Sequence, residues 1–208
     1  MLTLSNFNLK VNQHALFLPI NIQVSPGTIC CVMAPSGGGK SSLLSAIAGT
    51  LPSAITCSGS VKLGSTSLLT LPTHKRHVGL MFQDDLLFPH FNVAQNLAFA
   101  LPHKLSRKEK AHAIADALAV AQLDGYQTRD IATLSGGQKA RIALLRTILA
   151  APNLLLLDEP FAKLDQALRQ DFRQFLTTQV QQLNVPALLV THDPQDTQGC
   201  QLLELAQG

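Results

Sequence analysis

Residues 34–42 form a glycine-rich stretch whose residue types and spacing suit phosphate binding. Three consecutive glycines allow backbone N–H groups to turn inward around an anion without Cβ clashes. Lys40 follows them and can reach the terminal phosphates of a nucleotide, and the hydroxyl of Ser41 can bind Mg²⁺. The stretch departs from the usual pattern at its first position, where Ala34 stands in place of glycine. We predict that nucleotide phosphates contact Ala34, Pro35, Ser36, Gly37, Gly38, Gly39, Lys40, Ser41 and Ser42.

Two neighbouring carboxylates follow a second apolar stretch. Leu154–Leu157 reads as a buried strand and leads directly into Asp158 and Glu159. A nucleotide-hydrolysing fold needs an acid at such a strand end to hold Mg²⁺ or its water shell. Because successive strand residues point in opposite directions, the two carboxylates cannot share one role. We predict that Asp158 lies on the Mg²⁺ side and that Glu159 is the general base that polarises the attacking water.

A second glycine-containing segment also opens a predicted helix. Leu134-Ser135-Gly136-Gly137-Gln138 precedes an apolar-periodic run to Leu149, so its backbone N–H groups can bind another anion. One nucleotide does not need two such sites within one fold. The residues alone therefore indicate either a second ligand or a second copy of the chain.

This pentapeptide resembles the signature of ATP-binding cassette (ABC) ATPases, and further motifs of that family follow one another in the family order. Gln83, after Val78-Gly-Leu-Met-Phe82, matches the Q-loop glutamine. Asp165, in Ala-Lys-Leu-Asp, matches the D-loop, and His192, in Val-Thr-His-Asp, matches the switch histidine. The resemblance covers nearly the whole chain.

The resemblance implies a head-to-tail dimer that holds two ATP molecules at its interface. Lys40 of one copy would face the Ser135 segment of the other, Gln83 would touch Mg²⁺ or the attacking water, and His192 would steady the γ-phosphate. The catalytic residues it implies are Glu159, His192, Gln83 and Lys40. Those implied at Mg²⁺ are Ser41, Gln83 and Asp158. Beyond the phosphate loop, ATP would be contacted by Gln83, Ser135, Gly136, Gly137, Gln138, Asp165 and His192. The family usually stacks an aromatic side chain on adenine, for which His14 and Phe17 are the candidates.

Strand patterns at both ends of the chain flank a helical middle. This order predicts an α/β fold, and the resemblance specifies it as a P-loop NTPase core with an N-terminal antiparallel β subdomain and a helical insertion, the ABC ATPase fold. We predict one domain over residues 1–208. Residues 1–83 and 152–208 would form the core, and residues 84–151 the helical part that carries the signature.

Composition indicates one sizeable core and no basic face. The 208 residues are 46% hydrophobic and carry a net charge of +3 with scattered basic residues, so we expect no nucleic-acid partner. No apolar run approaches the roughly 18 residues of a membrane span, and the first residues lack the pattern of a signal peptide. We therefore expect a cytosolic chain that reaches the cytoplasmic face of the inner membrane through a partner.

Asp84–Phe91 is a Leu/Phe/Pro-containing segment of the kind that receives the permease in this family. Together with Leu-Leu-Leu-Asp-Glu-Pro-Phe, it resembles bacterial importer ATPases of the thiamine, ferric iron, polyamine and sulfate class. The resemblance implies a permease and, indirectly, a substrate-binding protein as partners. An ATPase of an exporter or lipid-extraction complex stays open as an alternative. A soluble cassette protein or a P-loop kinase is less favoured, since a kinase has no use for residues 134–138.

Overall fold

The structure is a computed structural model and describes residues 1–35 and 37–206. Its strands are β1 (Leu2–Val11), β2 (His14–Ala15), β3 (Ile20–Val24), β4 (Ile29–Met33), β5 (Ile55–Leu63), β6 (Thr66–Ser67), β7 (Val78–Met81), β8 (Leu154–Asp158), β9 (Ala187–Thr191) and β10 (Gln201–Glu204). Its α-helices are α1 (Lys40–Ala48), α2 (Val93–Ala98), α3 (Arg107–Val120), α4 (Gly136–Leu149) and α5 (Gln166–Leu183).

The centre of the fold is a parallel sheet in which the described strands run in the order β10-β4-β9-β8-β7. Its middle strands are buried on both faces, which explains their nearly continuous apolar sequences. Alternate residues of β8 enter two different cores: Leu155 and Leu157 pack with the helices of residues 93–149, whereas Leu154 and Leu156 pack with α1 and the N-terminal strands.

The N-terminal strands form a separate antiparallel sheet. Strand β1 pairs with β2, β3 and β5, and β6 extends the sheet beyond β5. In β3 the buried and exposed residues alternate, as the sequence pattern predicts for a strand with one solvated face. Strand β5 begins at Ile55, where it pairs with Val11 at the end of β1.

The middle of the chain is helical between β7 and β8, as predicted, and the α/β fold is confirmed. Helix α4 packs against α2, α5 and β7 and so joins this part to the central sheet. A capping box begins α3, with reciprocal hydrogen bonds between Ser106 and Glu109. The division into a core and a signature part at residues 84 and 151 stays a prediction.

The parallel sheet brings the predicted site residues to one edge. The glycine-rich stretch follows β4, Asp158 ends β8, and His192 follows β9. Because the carboxyl ends of parallel strands meet at the same edge, these groups lie together although they are far apart in sequence. Helices within the described ranges lack the combination of length and hydropathy that a bilayer span requires.

Candidate nucleotide-binding site

The glycine-rich loop between β4 and α1 has the backbone that anion binding needs. Gly39 is the N-cap of α1 with φ of 83°, a left-handed conformation that glycine adopts at little cost. A Cβ at Gly38 would lie 2.8 Å from the Cβ of Ala34. The methyl group of Ala34 therefore fits because residue 38 has no side chain, which accounts for the departure from the usual pattern. Ser36, also predicted to contact phosphate, lies outside the described residues.

Lys40 lies in the first turn of α1 and is largely buried, with 8% of its surface exposed. Its Nζ donates to the carbonyl oxygens of Ala34 at 2.7 Å and Pro35 at 3.2 Å. The ammonium group is thus held over the loop by two neutral acceptors, which an anion can replace. Its position fits the predicted role at the terminal phosphates.

A cavity of about 360 Å³ opens beside this loop. Its phosphate side is formed by residues 37–42 together with Glu159, and its other wall by Val11, Leu16 and Ile55. That wall is aliphatic, so a base placed there would meet branched side chains. No sequence motif indicated these three residues, because aliphatic residues near strand ends are typical of any core.

Phe17 is wrong as a base-stacking candidate. Its side chain is fully buried, and a Cβ at Gly39 would lie 3.0 Å from its Cδ1 atom. The ring therefore supports the loop from the core side. His14 is exposed on the short strand β2, and the described cavity lining does not include it.

Ser41 and Asp158 lie together at the floor of the site. Ser41 Oγ is 3.3 Å from Asp158 Oδ1, which brings a hydroxyl and a carboxylate from two different elements within reach of one cation. Burial raises the pKa of Asp158, and the hydrogen bond from Ser41 opposes this shift. Two hard oxygen ligands beside a phosphate loop fit Mg²⁺.

Because burial raises the pKa of Asp158, its ionised form is less favourable in the folded chain than in the unfolded chain. Stability therefore falls as the pH rises from the unfolded to the folded pKa, and it stays lower at neutral pH. We expect Asp158→Asn to raise the melting temperature of the nucleotide-free protein at pH 7 by about 2–4 °C, while Mg²⁺-dependent hydrolysis falls.

Thermal unfolding at pH 7, with and without Mg²⁺ and ATP, measures this effect. Asp124→Asn is the matched control, since Asp124 is exposed and the same chemical change there should leave the melting temperature unchanged. A nucleotide-free Asp158→Asn protein that melts below the parent would contradict the assignment of burial as the dominant cause.

Glu159 and His192 are in direct contact. His192 Nδ1 lies 3.0 Å from Glu159 Oε1, and the histidine ring is exposed whereas the carboxylate is mostly buried. Glu159 has φ of 45°, a left-handed conformation that is unusual for a residue with a side chain, and its N–H donates to the carbonyl of Val190 at 3.0 Å. The backbone thus turns sharply after β8 and directs this carboxylate into the cavity.

Gln83 and Asp165 lie next to the ends of secondary-structure elements. Gln83 is exposed two residues after β7, and within residues 1–35 and 37–206 no hydrogen bond joins it to Ser41 or Asp158. Asp165 is the N-cap of α5, where its Oδ1 accepts from the N–H of Leu168 at 3.0 Å. The structure thus gives Asp165 a capping function, and the nucleotide contacts of both residues stay predictions.

The second helix start, at Ser135, has a complete capping box. Gln138 N–H donates to Ser135 Oγ at 3.3 Å, and Ser135 N–H donates to Gln138 Oε1 at 3.0 Å. Tyr126 Oη lies 3.2 Å from Gln138 Nε2 and fixes that side chain further. Residues 135–138 do not contribute to the described lining of the phosphate-loop cavity. Within one copy the two glycine-containing helix starts are therefore separate.

Comparison with known proteins assigns most of the chain to the family that its motifs resemble. Residues 17–162 match the family model described as ABC transporter. The chain is 45% identical over 208 residues, 100% of its length and 96% of the relative's, to the uncharacterised ABC transporter ATP-binding protein YnjD of Escherichia coli K12. It is 39% identical over 194 residues to the Fe(3+) ions import ATP-binding protein FbpC of Streptomyces avermitilis, covering 93% of this chain and 55% of that protein, about half its length.

Solved structures show the same fold. A dimeric structure of MJ0796, a bacterial ABC transporter cassette, superposes with a TM-score of 0.80 at 23% identity, covering 99% of this chain and 94% of that one. A dimeric post-hydrolysis state of the same cassette bound to ADP and Pi also gives a TM-score of 0.80, at 24% identity and the same coverage. With the phosphate loop, the acidic strand end and the family match together, the chain belongs to the ABC transporter family, as an ATP-binding subunit that hydrolyses ATP.

Proposed function

We propose that two copies of this chain bind two ATP molecules head to tail and energise an importer of a small solute. The observation that carries the proposal is the separation of the two glycine-containing helix starts. The start at Ser135 has anion-binding groups, yet it lies outside the cavity beside Lys40 of the same copy. In a head-to-tail pair, the Ser135 segment of each copy would face the Lys40 cavity of the other.

The donors of the Ser135 segment are free to meet a phosphate. Ser135 Oγ accepts a hydrogen bond from Gln138 N–H, so its own proton remains available. The N–H groups of Gly136 and Gly137 belong to the first turn of α4 and have no intrahelical acceptor. Closure of two copies would add these donors to the γ-phosphate and exclude water from it. The dimeric MJ0796 structures support the pairing of two copies.

Hydrolysis would use the groups around the phosphate loop. Lys40 would move from the carbonyls of Ala34 and Pro35 to the terminal phosphates. Glu159 would accept a proton from the attacking water, and His192, in contact with Glu159, would steady the γ-phosphate. Ser41 and Asp158 would hold Mg²⁺, which neutralises charge on the phosphates when bound. Gln83 would orient the water or the cation from the end of β7.

The permease would dock on the segment Asp84–Phe91 and its neighbour Phe99. Leu86 and Phe99 are exposed by 56% and 68%, and the ring centroids of Phe88 and Phe99 lie 4.9 Å apart. Arg146 of α4 donates to the carbonyls of Leu86 at 2.9 Å and Asp85 at 3.0 Å and thereby holds the segment in place. An apolar surface fixed in this way fits a short amphipathic helix of a membrane partner.

We expect Phe99→Ser to weaken permease binding by about 30-fold, the usual effect of removing an aromatic anchor, and to leave the ATPase activity of the isolated chain unchanged. Co-purification and ATPase assays in proteoliposomes measure the two quantities. Val120→Ser is the matched control, because Val120 is 50% exposed on α3 outside this surface. Equal losses in both variants would remove the surface from its proposed role.

The resemblance to ferric iron import proteins supports the importer assignment. In that role the chain would lie at the cytoplasmic face of the inner membrane, and a substrate-binding protein would act on it through the permease. Reconstitution tests it. ATPase activity should rise when the permease and the loaded substrate-binding protein are both present. Activity that responds to the permease but not to the binding protein would favour the exporter or lipid-extraction alternative. Activity indifferent to both would reject the proposal.

A further inference from the structure

An ionic cluster lies behind the site, between α5 and the segment after β9. Arg169 and Arg173 are four residues apart and so occupy one face of α5. Arg169 forms an ion pair with Asp193 and lies 3.7 Å from Asp196, and Arg173 Nη2 lies 3.3 Å from Asp196 Oδ1. We call these four residues the arginine–aspartate cluster. No sequence motif marked Arg169 or Arg173, because the partners lie more than 20 residues apart.

The cluster holds the residues on both sides of His192. Asp193, directly after His192, pairs with Arg169. Thr191, directly before it, donates through Oγ1 to Asp196 Oδ2 at 2.7 Å and accepts from the N–H of Asp193 at 3.1 Å. The backbone on either side of the histidine is therefore fixed by this cluster, whereas the imidazole itself is exposed and contacts Glu159.

Arg169 also reaches the segment after Glu159. Its Nη2 lies 3.5 Å from the carbonyl oxygen of Phe161, two residues beyond Glu159. Its backbone N–H donates to the carbonyl of Asp165 at 2.8 Å, at the start of α5. One side chain thus touches the two segments that carry Glu159 and His192, and it does so from the helix that begins at Asp165.

The cluster is a poor source of stability. Asp196 is almost fully buried, and the Nε groups of Arg169 and Arg173 are buried without a hydrogen-bond partner among the described residues. Withdrawing charges from water and leaving N–H groups unpaired costs free energy that the ion pairs seldom return in full. Such a network instead fixes the relative positions of α5 and the backbone around His192.

We propose that Arg169 is a positioning residue that sets the contact between Glu159 and His192. The proposal rests on the proposed roles of those two residues in hydrolysis. The planar guanidinium group is suited to this task, because its two terminal nitrogens hold their N–H groups in fixed directions, one toward Asp193 and one toward the Phe161 carbonyl, whereas a lysine ammonium is a single point on a flexible stem. Removing it leaves every ATP-contacting side chain present and changes only how Glu159 and His192 lie relative to each other.

Steady-state ATPase kinetics test the proposal with Arg169→Met and the matched variant Arg173→Met, which lies one turn further along the same face. We expect Arg169→Met to lower kcat by about 10- to 100-fold with KM for ATP within threefold of the parent, as small displacements of catalytic groups do. Arg173→Met should lower kcat less than threefold, and both melting temperatures should fall by similar amounts. Equal losses of kcat in the two variants would overturn the proposal.

A double variant separates positioning from a general structural effect. In single-turnover assays, Arg169→Met added to Glu159→Gln should cause no further loss, since the carboxylate that it positions is already absent. Fully multiplicative losses would overturn the proposal. Should Arg169→Met fail to fold, Arg169→Lys replaces it, with an intermediate kcat expected and a parental kcat contradicting the role. If Glu159→Gln alone hydrolyses ATP at the parent rate, the proposed role of Glu159 as general base fails, whatever Arg169 does.

Discussion

Glu159→Gln is expected to lower the rate of ATP hydrolysis by about 10²–10⁴-fold while ATP binding is retained. The amide keeps the size of the side chain and a hydrogen-bonding atom toward His192, which lies 3.0 Å from the native carboxylate. It cannot accept a proton from water at neutral pH. Because the γ-phosphate then remains in place, the variant should accumulate as an ATP-bound dimer, which size-exclusion chromatography with ATP and Mg²⁺ detects.

Glu204→Gln provides the matched control for this prediction. Glu204 is exposed on β10, and the same change there should leave both the hydrolysis rate and the elution volume of the chain at parental values. A Glu159→Gln protein that hydrolyses ATP as fast as the parent would remove Glu159 from the role of general base. One that stays monomeric with ATP while hydrolysis is lost would contradict the head-to-tail arrangement instead.

Lys40→Ala is expected to weaken ATP binding by about 100-fold or more. The ammonium group donates to two carbonyl oxygens of the loop, and with ATP bound it would donate to phosphate oxygens instead. Each charge-assisted hydrogen bond contributes about 1.5–3 kcal/mol, and each 1.4 kcal/mol changes affinity tenfold. Titration with a fluorescent ATP analogue measures the loss.

The control for the lysine substitution is Lys62→Ala on the exposed side of β5, which should bind ATP with parental affinity. Because Lys40 is buried, Lys40→Met is included to retain the aliphatic stem and the packing of the loop. Unchanged affinity in both Lys40 variants would mean that the phosphates bind elsewhere.

Local patterns predicted the elements that carry the site. Helix α1 begins at Lys40 and ends before Gly49, as its glycines indicate, and Gly49 has φ of 89°. The apolar run before Asp158 is a buried strand, and the ends of β4, β8 and β9 meet at one edge, as the rule for parallel sheets requires. Short-range chemistry decides the limits of the helix and the burial of the strand, and the parallel-sheet rule then brings the strand ends together, so the sequence could indicate these features.

The features that the sequence could not predict depend on packing between distant parts of the chain. Phe17 reads as a loop aromatic available to a base, yet it lies in the core beneath Gly39. The limits of the last strand, Gln201–Glu204, are set by its pairing with β4, which lies far away in the sequence. The ion pair between Arg169 and Asp193 depends on how α5 packs on the sheet, which no pattern along the chain encodes.

Helix α4 connects two surfaces that are proposed to meet different chains. Ser135 caps its beginning, and Arg146, near its end, is bonded to the carbonyls of Asp85 and Leu86. Fourteen residues at about 1.5 Å each make a strut roughly 21 Å long. A helix of this length moves largely as a rigid body. A displacement of the Asp85–Leu86 segment by the permease would therefore also shift Ser135 at the other end of α4. One helix would thus couple the proposed permease surface to the proposed γ-phosphate contact.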